Sequence, residues 1–87
     1  MVGVRHARPD DLERLGPLLA QVRSFDALKE RTPGSFYKGS AGFLHFHIDG
    51  NDVYADVKLD GSTFDRTRVT TKAEQAKLVR DVKKALA

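Results

Sequence analysis

The segment from Gly42 to Leu59 reads GFLHFHIDGNDVYADVKL, and its alternation of apolar and polar residues decides the fold. With Gly50 and Asn51 at the centre of a two-residue turn, the segment predicts an antiparallel hairpin. Apolar residues then pair only with one another on one face, which carries Leu44, Phe46, Ile48, Val53, Ala55 and Val57. A slip of one residue would move these side chains into water, so the register is well specified.

The opposite face of this hairpin carries histidines, aromatic residues and charges. In the same register His47 faces Tyr54, His45 faces Asp56 and Phe43 faces Lys58. We predict that this face is open to solvent and holds the candidate ligand or partner site. Its residues are Phe43, His45, His47, Tyr54, Asp56 and Lys58.

The segments on either side of the hairpin predict helices. Pro9 is followed by two aspartates, which is typical of a helix start, and Gly16-Pro17 either kinks that helix or begins a second one. Thr71 and Glu74 have the spacing of a capping box that opens an amphipathic last helix. The chain therefore predicts a single α+β domain over residues 1–87, a helix–four-strand antiparallel meander–helix with both helices on one face of the sheet.

The last predicted strand contains a conflict. A tight turn centred on the Gly-Ser pair after the hairpin predicts a strand over residues 63–70 that places Asp56 beside Thr67. The same register directs two arginines toward the apolar side, Arg66 and Arg68. A β-bulge, or a sheet edge along which the arginine stems extend to water, would resolve the conflict.

Composition excludes several classes of protein. Hydrophobic residues make up 40% of the 87 residues and charged residues 31%, as in an ordinary folded domain. The absence of cysteine excludes disulfides, thiol nucleophiles and zinc–thiolate sites. Because no apolar run reaches about 20 residues, we expect no membrane partner. Residues 1–8 lack the apolar core of a secretory signal, so we expect a cytoplasmic protein.

His45 and His47 form an H-x-H pair whose imidazoles point the same way from one strand, roughly 7 Å apart. Two such imidazoles bind one divalent metal ion when a carboxylate adds a harder ligand. Asp49 and Asp56 are both candidates for that carboxylate, and the predicted metal site is His45, His47 and Asp56. The alternative is that both histidines are ordinary surface residues of a half-exposed sheet.

The pairing of His45 with Asp56 also has the form of a base and its orienting carboxylate. No nucleophile accompanies the pair, since no G-x-S-x-G or comparable motif occurs in the sequence. We therefore expect no enzyme activity and no catalytic residue. The other interpretation of the pair is a cross-strand hydrogen bond that stiffens the sheet.

An uncovered sheet face with aromatic residues and histidines suits a contact between proteins. The sequence thus favours a non-catalytic interaction domain that binds a second copy of itself or another protein, with the metal or small-ligand site as the alternative. Nucleic acid is a third candidate partner, because the last helix is basic and Phe43 and Tyr54 could stack on bases. The acidic hairpin opposes that interpretation, since Asp49, Asp52 and Asp56 would repel phosphates.

The run from Gly42 to Gly50, GFLHFHIDG, followed by Asp56, resembles a Gly-x-x-His-x-His-x-Asp-Gly segment of small bacterial domains labelled "luciferase domain". This resemblance implies a small α+β domain without an established function, and does not imply light emission. The predicted order of elements is also similar to that of frataxin-like and YjbR/MmcQ-type domains. That similarity is one of architecture, which does not carry function.

Overall fold

The computed structural model describes residues 5–87 and arranges them as a sheet with three helices. The elements are β1 (Arg5–His6), α1 (Pro9–Glu13), α2 (Gly16–Arg23), β2 (Lys29–Thr32), β3 (Ser35–Lys38), β4 (Ala41–Asp49), β5 (Asp52–Val57), β6 (Asp65–Arg68) and α3 (Lys72–Leu86). All strand pairings are antiparallel, in the order β2-β3-β4-β5-β6, and β1 pairs with β4. The predicted α+β class with an antiparallel sheet is confirmed.

Strand β4 is the centre of the sheet because it pairs with three other strands. One edge pairs with β5 along its length. The other edge is shared, since β3 pairs with its first half and β1 pairs with His47 and Ile48 in its second half. Nine residues make β4 long enough to accept both neighbours. The shared edge brings β1, which is far away in the sequence, beside the H-x-H pair.

The hairpin of β4 and β5 has the register that its sequence predicts. The observed apolar pairs are Leu44 with Val57, Phe46 with Ala55, and Ile48 with Val53. Gly50 has a positive φ of 62°, which a glycine adopts without strain in a two-residue turn. The apolar pairing and the turn geometry agree, so the local sequence is sufficient to set this register.

The helices contribute to the same hydrophobic core as the hairpin. Its helical members are Leu12, Leu15, Leu18, Leu19, Val22, Leu78 and Val82. The Gly16-Pro17 interruption separates α1 from α2, and the capping box of α3 is present with both of its hydrogen bonds. Within residues 5–87, no helix combines the length and apolar character needed to cross a bilayer.

The sheet has more strands than the four predicted. The polar residues between Ala27 and Gly34 predict a connection without a strand, yet residues 29–32 form β2 and pair with β3. By their sequence, residues 1–8 form either a short edge strand or a weakly held tail. Arg5 and His6 form β1, and residues 1–4 lie outside the described part of the chain.

Strand β6 corrects the predicted register by one residue. Asp56 pairs with Arg66 rather than with Thr67, so the two arginines of β6 lie on the polar face and the predicted conflict does not arise. The cause is the connection before β6, which is longer than a two-residue turn. The Asp60 carboxylate accepts hydrogen bonds from the backbone N–H groups of Ser62 and Thr63 at 2.8 and 2.9 Å, which fixes this wider loop.

Candidate metal centre

Two cross-strand rows of side chains build the polar face. One row consists of His6, His47, Tyr54 and Arg68, and the next consists of His45, Asp56 and Arg66. Residues directly opposite one another in antiparallel strands share a face. The register therefore gathers all three histidines of the chain and one aspartate into one patch. We call His6, His45, His47 and Asp56 the histidine cluster.

The Asp56 carboxylate lies between two imidazoles. Its Oδ2 atom is 3.3 Å from Nε2 of His45 and 3.0 Å from Nε2 of His47. One ligand atom from each of these three residues lies within 4.8 Å of the other two. The predicted set of His45, His47 and Asp56 is thus brought together, whereas Asp49 is exposed at the turn and is not part of this group.

His47 is the unusual member of the cluster because its Nε2 atom is buried without a hydrogen bond. The residue is 8% exposed, and Oδ2 of Asp56 contacts this nitrogen at 3.0 Å without the geometry of a hydrogen bond. Leaving a buried polar atom unpaired costs about 1–3 kcal/mol. The prediction that His47 is exposed to solvent is wrong. Because the residue is buried, bulk water does not supply the missing hydrogen bond to its Nε2 atom.

Asp56 is held in place from its other side by Arg66. The guanidinium donates from Nε to Oδ1 at 2.8 Å and from Nη2 to Oδ2 at 3.0 Å, a two-point contact that fixes the plane of the carboxylate. This contact lowers the pKa of Asp56, while burial opposes it. Asp56 is consequently ionised and oriented at neutral pH, with Oδ2 directed toward the histidines.

For the two imidazoles, burial is the largest influence on the pKa. It lowers the pKa of His45 and of His47 below the usual 6.5, and the negative charge of Asp56 only partly offsets it. Both rings are therefore neutral at pH 7. A neutral imidazole has a free lone pair on one nitrogen, which is the form that binds a metal ion.

His6 is the member of the cluster that the sequence does not predict. Its ring centre lies 4.7 Å from that of His47 and 6.1 Å from that of His45, and the rings of His45 and His47 are 4.9 Å apart. The available signal was that His6 is the one histidine, of the three in the sequence, outside the H-x-H pair. Its partner strand could not be identified from local pattern, because two residues are too few to show alternation.

The residues around His45 form one wall of the cluster. The Phe64 ring packs edge-on against His45 with a centroid separation of 4.9 Å, and Lys58 Nζ lies 4.8 Å from the centre of the Phe64 ring. The register predicted for residues 63–70 places Phe64 opposite Leu59 on the core side, but Phe64 is 42% exposed on the polar face. A cavity of about 200 Å³ is lined by residues of β1, β3 and β4, which include His6, Tyr37 and His45.

Phe43 does not belong to the polar face, contrary to the prediction. It is 5% exposed and is part of the hydrophobic core. Gly42 pairs with Tyr37 and Leu44 pairs with Phe36, so Phe43 is an extra residue in β4 at a β-bulge. A bulge interrupts the alternation of side chains, and this one removes Phe43 from the aromatic residues that could stack on a base.

Tyr54 and Lys58, the other two residues predicted on the polar face, lie beside members of the histidine cluster or its wall. Tyr54 is half-buried next to His47, and Lys58 follows the end of β5 and covers Phe64. The basic helix α3 carries an ion pair between Lys77 and Asp81 at 2.7 Å, and its predicted contact with nucleic acid stays a prediction.

In three comparisons, neither a family model, nor a curated protein, nor a solved structure matches the chain. The resemblance to the "luciferase domain" segment therefore stays a prediction. A function for this chain must accordingly be inferred from the geometry of the histidine cluster.

Proposed function

We propose that the protein binds a divalent first-row transition metal ion through His45, His47 and Asp56. Two imidazole nitrogens and one carboxylate oxygen suit ions such as Zn²⁺, Co²⁺, Ni²⁺ and Fe²⁺, whereas Mg²⁺ and Ca²⁺ prefer oxygen ligands alone. Three protein ligands leave a coordination position for water or a small ligand.

One observation carries this proposal, the buried Nε2 of His47 that has no hydrogen bond. Folded proteins rarely leave such an atom unpaired, and an ion or water that completes the site is a common explanation. A metal ion bound to Nε2 would satisfy the nitrogen and would at the same time occupy the space between it and the other two ligands. The chemistry of the neighbours, a second neutral imidazole and an ionised carboxylate, favours an ion over water.

The distances support the same conclusion. Ligand atoms about 2.0 Å from a tetrahedral ion lie about 3.3 Å from one another. The two nitrogen-to-oxygen distances in the cluster, 3.3 and 3.0 Å, are close to that value, and the three ligand atoms all lie within 4.8 Å of one another. Arg66 would act as an outer partner that orients the metal-bound carboxylate, as ligating carboxylates in metal sites usually require.

Calorimetric titration of the metal-free protein with Zn²⁺ tests the proposal. We expect one ion per chain, and NMR signals of the His45 and His47 rings should shift during the titration. Asp56→Asn should weaken binding by about tenfold or more, because it removes the charge of the ligand. Asp52→Asn is the matched control on the same strand and should leave the affinity unchanged. The absence of binding at a several-fold excess of Zn²⁺, or equal losses in both variants, would refute the proposal.

The protein–protein contact favoured by the sequence is a second proposal, and one observation supports it. Phe64 is a large apolar side chain that is exposed on the polar face, beside Lys58 and His45. A second copy of the chain could cover it. Sizing over a dilution series should then detect a dimer that Phe64→Ser abolishes, and a monomer at all concentrations would exclude the homodimer.

A further inference from the structure

We infer that His6 supplies a third imidazole to the metal ion, so that metal binding fastens strand β1 to β4. This inference rests on the proposed function. It adds a ligand from a part of the chain that is about forty residues away in sequence from the H-x-H pair. The completed site would have three nitrogen ligands and one oxygen ligand, all from the protein.

The arrangement of the three rings supports the inference. The centre of an imidazole lies about 1.1 Å behind its ligating nitrogen, so rings bound to one tetrahedral ion have centres about 5 Å apart. The three observed separations are 4.7, 4.9 and 6.1 Å. The largest separation joins His6 to His45, and a rotation of the exposed His6 side chain could shorten it. As the side chains stand, the group of ligand atoms that lie within 4.8 Å of one another contains His45, His47 and Asp56 without His6, so binding by His6 requires that rotation.

The position of His6 is set by its backbone and by its neighbour in sequence. His6 lies directly opposite His47 in the β1–β4 ladder, and the next amide, N–H of Ala7, donates to the Phe46 carbonyl at 3.2 Å. Arg5 reaches the other way and forms a two-point contact with Asp11, at 2.6 and 3.2 Å. The His6 ring itself makes no hydrogen bond with any residue in 5–87, so nothing there competes with an ion for its nitrogens.

A metal ion bound to both His6 and His47 would cross-link strands β1 and β4. Strand β1 is only two residues long and pairs at a position where β4 has no other neighbour on that edge. So short a strand contributes few backbone hydrogen bonds of its own. An ion bound to both strands would therefore increase the protection of the Ala7 amide against hydrogen exchange, which is a consequence that a site without His6 does not have.

Titrations of the intact protein with Zn²⁺ and Co²⁺ test this inference, with His6→Ala and Arg5→Gln as the two variants. We expect His6→Ala to lower the Zn²⁺ affinity by about tenfold or more and to change the visible spectrum of bound Co²⁺, because the number of nitrogen ligands falls. Arg5→Gln weakens the attachment of β1 but keeps the imidazole, so it should lower the affinity less and leave the Co²⁺ spectrum unchanged. In the unmodified protein Zn²⁺ should slow exchange of the Ala7 amide, and in His6→Ala it should not.

The outcomes separate this inference from the proposed function. If the unmodified protein binds no metal, the proposed function fails. If it binds and His6→Ala binds equally well with an unchanged Co²⁺ spectrum, His6 is not a ligand and the site keeps only His45, His47 and Asp56. If Arg5→Gln loses as much affinity as His6→Ala, with the same spectrum, strand docking explains the effect and the assignment of His6 as ligand is wrong.

Discussion

Two clusters of charged side chains lie on the same polar face, and they differ in how fully their hydrogen bonds are satisfied. In the Arg68 cluster, Arg68 donates to both carboxylate oxygens of Glu74 at 2.9 and 3.0 Å and to Asp52 at 2.9 Å. Glu74 also accepts from the backbone N–H groups of Thr70 and Thr71 at 3.0 Å. Every charged group in this cluster has a partner, and its position at the start of α3 gives it a structural role.

The histidine cluster, a few residues away, is more buried and less satisfied. Asp56 has a full partner in Arg66, yet Nε2 of His47 has none. A carboxylate paired with an arginine is therefore not sufficient to indicate a metal site on this face, because the Arg68 cluster has such pairs and all of its hydrogen bonds are formed. The unpaired nitrogen distinguishes the two clusters, and substitutions that change one cluster while keeping the other as the reference can test that distinction.

The largest expected effect is stabilisation by metal. An ion that binds only the folded chain adds about 2.7 kcal/mol to the free energy of unfolding when its concentration is about 100 times Kd. We expect Zn²⁺ to stabilise the unmodified protein in chemical denaturation, and to stabilise Asp56→Asn by less, with a loss of at least about 1.3 kcal/mol for a tenfold weaker site. Asp52→Asn, which alters the Arg68 cluster, should keep the full metal effect. Equal stabilisation of all three proteins would mean that the ion binds elsewhere.

The same metal effect should depend on pH. Because the pKa values of His45 and His47 are lowered by burial, protons compete with the ion only below pH 6.5. Without metal, the unfolded chain takes up protons near pH 6.5 that the folded rings bind less readily. The free energy of unfolding should therefore decrease as the pH falls through 6.5, and become independent of these two groups once the pH is below their folded pKa values.

Measurements of unfolding from pH 8 to 5 in the presence of a chelator check this dependence. The titratable and charged groups that face the two rings are Asp56, Arg66 and His6, so Asp56→Asn should change the profile. The carboxylates with lowered pKa values, such as Asp11 at about 2, affect stability only under much more acidic conditions. A free energy of unfolding that increases as the pH falls from 6.5 to 5 would contradict the lowered pKa values of the two histidines.

A smaller effect is expected from replacing His47 by leucine. The substitution removes the unpaired Nε2 atom and places an apolar side chain of similar volume in the buried position. The metal-free protein should therefore gain about 1 kcal/mol of stability. The stabilisation by Zn²⁺ should be lost in the same variant. Denaturation with and without Zn²⁺ measures both effects. A variant that is destabilised without metal would show that His47 has a structural partner.

The smallest effect on metal binding, namely none, is expected from a change in the Arg68 cluster and its helix cap. The Thr71 hydroxyl accepts a hydrogen bond from the Glu74 amide at 3.2 Å at the start of α3. Thr71→Ala should cost about 1 kcal/mol of stability, as the loss of an N-cap usually does. Metal affinity should not change, since the variant leaves the histidine cluster intact. A change in Zn²⁺ affinity would indicate that the two clusters are coupled.

The sequence predicts the parts of the fold that depend on neighbouring residues. The register of β4 and β5, the capping box of α3 and the juxtaposition of His45 with Asp56 all follow from short segments and are present in the structure. His45, His47 and Asp56 could be grouped because a two-residue turn connects their strands. Strand β2 could not be predicted, because its residues KERT show no apolar alternation.

The sequence by itself determined the hairpin and three of the four residues of the histidine cluster, since alternation and a tight turn fix which residues face one another. Only the tertiary structure decided the rest. The loop held by Asp60 set the register of β6 and brought Arg66 to Asp56, and the bulge at Phe43 withdrew that ring into the core. The pairing of β1 with β4 added His6. These contacts join residues that are distant in sequence or depend on loop geometry, and local pattern carries no information about them.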